Sequence, residues 1–172
     1  MSMITEQQVG ILSKNGRFQK VLTAGKYYYP QILGYQLEII EANGLVQPQS
    51  VPLAILAKDP NFCRLTAMVE ITDTTLAAHY KDGCLSEIIY TSGRYYYWNI
   101  LQDHSFLLIS LTTPDIAQEV PLSLFDHINK QFFIEINVAE GEGALVYFDN
   151  KLERLLTNGH YYFWNYLTKV TY

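Results

Sequence analysis

Gly93-Arg94-Tyr95-Tyr96-Tyr97-Trp98 decides how this chain is read, because it occurs two more times. It stands earlier as Gly25-Lys26-Tyr27-Tyr28-Tyr29-Pro30 and later as Gly159-His160-Tyr161-Tyr162-Phe163-Trp164. The three glycines are spaced by 68 and then 66 residues, and self-similarity at a near-constant period marks a repeat architecture. A tight turn precedes each copy: Asn15-Gly16, Asp82-Gly83 and Asp149-Asn150. Such pairs tolerate positive φ at both central positions, which a type I′ hairpin turn demands. Gly16, Gly25, Gly83, Gly93, Asn150 and Gly159 are therefore the expected turn residues.

Around these turns each copy reads as a strand, turn, strand, turn, strand meander. Val9–Lys14, Leu76–Lys81 and Gly143–Phe148 are the entering strands, and Lys151–Leu156 is one of the middle ones. The second copy has one more residue between its glycines than the first, which predicts a β-bulge there. Large rings on alternating positions of the aromatic strand fill a core on one reading and leave a face for a partner on the other. On the second reading Tyr28, Tyr96, Trp98, Tyr162 and Trp164 form the interaction surface.

Between copies the pattern repeats as well. Gln36–Glu41 alternates as a strand, Asn43-Gly44 and Pro48 break the chain, and residues 52–58 have leucine and alanine at helical spacing behind a proline. A further helical turn over residues 61–65 follows, then a strand at Met68–Asp73. After the second copy come a strand at Phe106–Leu111, a helix over Pro121–Lys130 and a strand at Phe132–Val138. The fold class is thus α+β, mostly antiparallel β, built from tandem repeats of β-meander plus strand, short helix and strand. Residues 1–73 make the first unit, 74–138 the second, and 139–172 a partial third. The alternating end, Tyr166–Tyr172, reads as a strand that continues, so a longer protein is expected.

Composition narrows the function classes. With 49% hydrophobic, 14% aromatic and 17% charged residues, the chain has a core to bury and is not disordered. Net charge is −5 and no two basic residues adjoin, which argues against nucleic acid and against electrostatic docking to an anionic membrane surface. Cys63 and Cys84 read as reduced thiols. The start lacks a signal-peptide pattern, and no apolar run approaches the ~20 residues of a membrane span. A cytoplasmic protein is expected.

No chemistry-bearing motif emerges. His79, His104, His127 and His160 form no metal-binding pair, and neither cysteine adjoins a histidine. Gly141-Glu142-Gly143 lacks the rest of a phosphate loop and precedes a strand. Serines 86, 92, 105, 110 and 123 lie in no nucleophile elbow, and Glu135, Glu140 and Glu142 read as solvated strand carboxylates. No catalytic, cofactor or metal site is expected.

The copies also resemble a known family. Val9–Gly16, Val21–Tyr27 and Gly159–Trp164 are similar to the amino-terminal region of bacterial slipins, the stomatin-like members of the SPFH superfamily, where G-x-L-x-x-x-L-x-x-G-x-Y-x-F-W elements recur before the SPFH domain. The resemblance covers about residues 7–172, and Pro30 stands where the family pattern has tryptophan. It implies an SPFH domain after Tyr172 and an oligomeric, non-enzymatic scaffold, with membrane association arising through the longer protein. The expected function is a protein-interaction module with a homo-oligomeric or protein partner. The alternative is a ligand-binding module that uses exposed Tyr and Trp faces for carbohydrate, peptide or lipid headgroup.

Overall fold

The structure, a computed structural model, describes residues 1–47 and 50–172; Pro48, where the sequence places a break, lies outside them. It is β-rich, with antiparallel sheets and short helical turns. The first strands are β1 (Ser2–Ile4), β2 (Gln8–Lys14), β3 (Arg17–Leu22), β4 (Gly25–Tyr27) and β5 (Tyr35–Glu41). Helices α1 (Leu53–Leu56) and α2 (Pro60–Leu65) lead into β6 (Thr66–Ile71), β7 (Thr75–Lys81), β8 (Cys84–Ile89), β9 (Gly93–Trp98) and β10 (His104–Ser110). Last come β11 (Phe133–Val138), β12 (Ala144–Phe148), β13 (Lys151–Leu156), β14 (Gly159–Trp164) and β15 (Val170–Thr171).

Two kinds of sheet alternate along the chain. Three-stranded sheets have the orders β3-β2-β5, β8-β7-β10 and β13-β12-β15, and two-stranded ones join β1 to β4, β6 to β9 and β11 to β14. In each three-stranded sheet the central strand is the one entering a hairpin, so both its edges are paired. The hairpin turns carry positive φ at both centres: 51° and 78° at Asn15-Gly16, 49° and 81° at Asp82-Gly83, 48° and 68° at Asp149-Asn150. Each turn is then tied down by a backbone bond from its first residue, Asn15 to Gly34, Asp82 to Asp103 and Asp149 to Lys169. Asp82 and Asp149 also accept through Oδ1 from the N–H of Asp103 and Lys169.

The chain forms two compact units, one of Met1–Glu70, Tyr80–Cys84 and Arg94–Ser105, the other of Ile71–His79, Leu85–Gly93 and Phe106–Tyr172. In the first, the β3-β2-β5 sheet is buried on both faces. Val9, Ile11 and Val21 meet Leu56 and Phe62 of the helices together with Tyr96 and Trp98 of β9. Leu12 and Leu22 face the other way, against Ile4, Tyr27, Tyr29, Tyr35 and Leu37. In the second unit, Val146 and Leu156 cluster with Ile136, Val138, Phe163 and Val170. Each such aliphatic side chain withdrawn from water contributes roughly 1.5–3 kcal/mol.

Several elements are shorter than their sequence pattern. The helix expected over residues 52–58 is the four-residue α1, and the chain restarts at α2, where Asp59 accepts from the Phe62 N–H and Pro60 fills the first turn. The helix expected over Pro121–Lys130 is instead two 3₁₀ turns, Leu122–Asp126 and Lys130–Phe132. Leu124, Phe125 and Ile128 are all buried, and the Ile128 N–H still donates to the Leu124 carbonyl with α-helical spacing. The first aromatic strand stops at Tyr27, since Pro30 has no N–H for a ladder and instead caps the turn Gln31–Leu33. Of Tyr166–Tyr172 only Val170–Thr171 is strand, paired with β12.

Candidate interaction surface

The turn residues of the aromatic strands share one local device. Gly159 has φ 149°, Tyr161 folds its ring back over it, and the Tyr161 hydroxyl donates to the Thr157 carbonyl at 3.0 Å. Gly25, with φ 155°, is covered in the same way by Tyr27, whose hydroxyl donates to the Thr23 carbonyl at 2.9 Å. Gly93 has φ 149°, and Gly16, Gly83 and Asn150 sit at the hairpin tips. All six are backbone positions and none brings a reactive group to a shared point.

The five aromatic positions do not make one surface. Tyr96 and Trp98 are buried against Phe62 of α2, with ring centroids 5.3 and 5.6 Å apart, and Trp164 is buried against Phe125 at 5.2 Å. This corrects the expectation of a Tyr and Trp recognition face: α2 and the 122–126 turn supply phenylalanines that cover those rings. Tyr28 is 73% exposed, and Tyr162 is half-buried, stacked on Phe125 with centroids 4.2 Å apart. Partial burial, and then the carboxylates of Glu135 and Asp126, hold the Tyr162 hydroxyl above its ordinary pKa.

Several polar groups pair within the fold, while Oε1 of Glu38 is buried without a hydrogen-bond partner among the described residues. An open groove of about 440 Å³ is lined by Ile11, Ser13, Gln36, Leu37, Glu38 and Ser50, and there the Glu38 carboxylate accepts from both the backbone N–H and the hydroxyl of Ser50. A second groove, of about 480 Å³, runs along Leu85–Ile88 beside His127. His79 Nδ1 lies 3.2 Å from Glu87, and His160 pairs with Glu135. Among the described residues no cluster of three or more His, Cys, Asp or Glu could hold a metal, and no helix is long and apolar enough to cross a membrane.

One face of the third hairpin is apolar and partly exposed. On the β12–β13 hairpin Leu145 lies directly opposite Leu155, and Tyr147 opposite Leu152. Cross-strand partners share a face, and 145 and 147 share one by the period of two, so all four side chains lie on one side. Leu145 is 47% and Leu155 64% exposed, Leu152 is exposed and Tyr147 half-buried. In the β2–β3 hairpin the same register pairs Ile11 with Val21 and Ser13 with Phe18, yet Ile11 is 1% and Val21 4% exposed beneath α1 and α2. These leucines escaped the sequence reading. The reason is a bulge that the residue pattern does not announce: pairing skips Gln19 in β3 and Glu153 in β13, and without the skip Leu152 and Leu155, three residues apart, would face opposite sides.

No family model, no curated protein and no solved structure matches this chain.

Proposed function

We propose that the protein is a non-enzymatic interaction module made by tandem duplication of one β-meander unit, and that the Leu145–Leu152–Leu155 face of β12–β13 is its docking surface. The observation that carries this reading is one of equivalence. Positions paired alike in the first hairpin, Ile11 and Val21, are roofed by helices, whereas Leu145 and Leu155 are about half exposed or more. A soluble domain rarely leaves opposed aliphatic residues uncovered unless something covers them in use. The recurring sheet orders and turn ties support duplication of a single folding unit. The similarity of the copies to the slipin amino-terminal region supports assembly in place of catalysis, and a scaffold role beside an SPFH domain, with membrane association through that longer protein, is part of the proposal.

Affinity capture of the tagged full chain from the cells that make it tests the module role, using the L145E/L155E variant as comparison. Defined partners recovered with the native chain and lost with the variant are expected. Identical recovery from both, or none from either, rules the docking surface out.

A further inference from the structure

From the way the chain roofs its first hairpin, we propose that the partner presents a proline-led short helical segment with branched aliphatic residues and a following phenylalanine. The inference rests on the interaction-module reading and names the chemistry of its partner. In the first unit the segment on Ile11 and Val21 is Pro52-Leu53-Ala54-Ile55-Leu56, followed by Phe62; Leu56 and Phe62 are buried in that core and Leu53 packs against it. In the second unit a similar segment, Pro121-Leu122-Ser123-Leu124-Phe125, precedes Phe132. His127 borders the groove along Leu85–Ile88, Phe132 stacks on Tyr90 with centroids 5.1 Å apart, and the Asn129 N–H donates to the Tyr90 hydroxyl at 2.8 Å. There Ala78 is buried and Ile88 is half-buried.

The third hairpin has the same register without a roof. Gly143 stands where the first hairpin has Val9, and Leu155 leans over it, its Cδ1 3.2 Å from where a Cβ would lie. The area left bare also selects the occupant. Three partly exposed leucines amount to a few hundred Å², the size of one functional patch. A stable dimer needs about 800 Å² from each partner, so a second copy packed face to face is too large a requirement and a single segment is not.

The test adds a synthetic peptide of residues 51–65 to the full chain, up to about 1 mM, and follows hydrogen exchange residue by residue. Because a peptide this short is poorly helical alone, a second version appends the same residues after Tyr172 through a Gly/Ser linker, which raises the effective concentration to the millimolar range. Expected is a tenfold or greater slowing of exchange confined to β12 and β13 in at least the tethered version, abolished by L145E/L155E. No slowing in either version, slowing at β2 and β3 instead, or a chain that dimerises through Leu155 overturns the proposal. Failure here with partners still captured through Leu145 and Leu155 leaves the module reading standing and removes only the segment chemistry; loss of both removes the module reading itself.

Discussion

The ring of Tyr161 covers Gly159 so closely that a Cβ there would lie 3.2 Å from the ring, while the Tyr161 hydroxyl holds the carbonyl of Thr157. Ring and turn therefore fix each other. The aromatic residue shields a backbone that lacks a side chain, and the glycine provides both the conformation and the room. G159A should accordingly cost about 1–3 kcal/mol from the strained φ, with the contact to the ring added to it. Gly141, at φ 82° with nothing within 4 Å, is the control, and urea denaturation should show G141A losing less. Equal losses would contradict the ring's role.

The hydroxyl can be separated from the ring. Y161F removes one hydrogen bond to a carbonyl and should cost about 1 kcal/mol, whereas Y161A also uncovers Gly159 and should cost more. Denaturation midpoints of the two variants check the order.

Trp98 and Trp164 are both buried, so tryptophan emission should be blue-shifted and resist quenching by acrylamide in the folded chain. Unfolding in urea should shift it to the red and expose both rings. Emission already red-shifted and readily quenched without denaturant would contradict their place in the two cores.

Tyr162 sets an alkaline limit on stability. Its pKa in the folded chain is raised above 10.0, by partial burial first and then by Glu135 and Asp126, so the unfolded chain loses this proton before the folded one does. The stability from the neutral hydroxyl is full below pH 10 and is lost as pH rises through the folded value. The difference between the ultraviolet titrations of the native chain and Y162F should isolate the Tyr162 ionisation above pH 10.0, and E135Q should lower its midpoint. A midpoint unmoved in E135Q would remove Glu135 as a cause and leave burial and Asp126.

Much of this fold can be read from residue types. Asn15-Gly16, Asp82-Gly83 and Asp149-Asn150 announce hairpins because positive φ is costly for most other residues. What local pattern does not encode is coverage. Lys151-Leu152-Glu153-Arg154-Leu155-Leu156 has the same alternation whether or not a helix lies over it, and that depends on residues far away in the chain. The bulge at Glu153 is equally silent, although it decides which leucines share a face. Ring burial at Tyr96, Trp98 and Trp164 was likewise fixed by Phe62 and Phe125, which lie outside the repeated stretch.

Equivalent positions should respond oppositely to charge. V21E places a carboxylate in a closed core and should unfold the first unit or cost several kcal/mol. L155E changes an exposed residue and should stay within about 0.5 kcal/mol of the native chain. Thermal unfolding of the pair checks the contrast; a large loss in L155E would mean the face is already in use within the chain.

The most direct measurement of the docking role is photo-crosslinking in the cells that make the protein, with a benzoyl-phenylalanine placed at Leu155 and, for comparison, at exposed Gln118. Discrete protein adducts at Leu155 and none at Gln118 are expected. No adduct at Leu155, or the same adducts from both positions, would contradict an interaction role for the β12–β13 face.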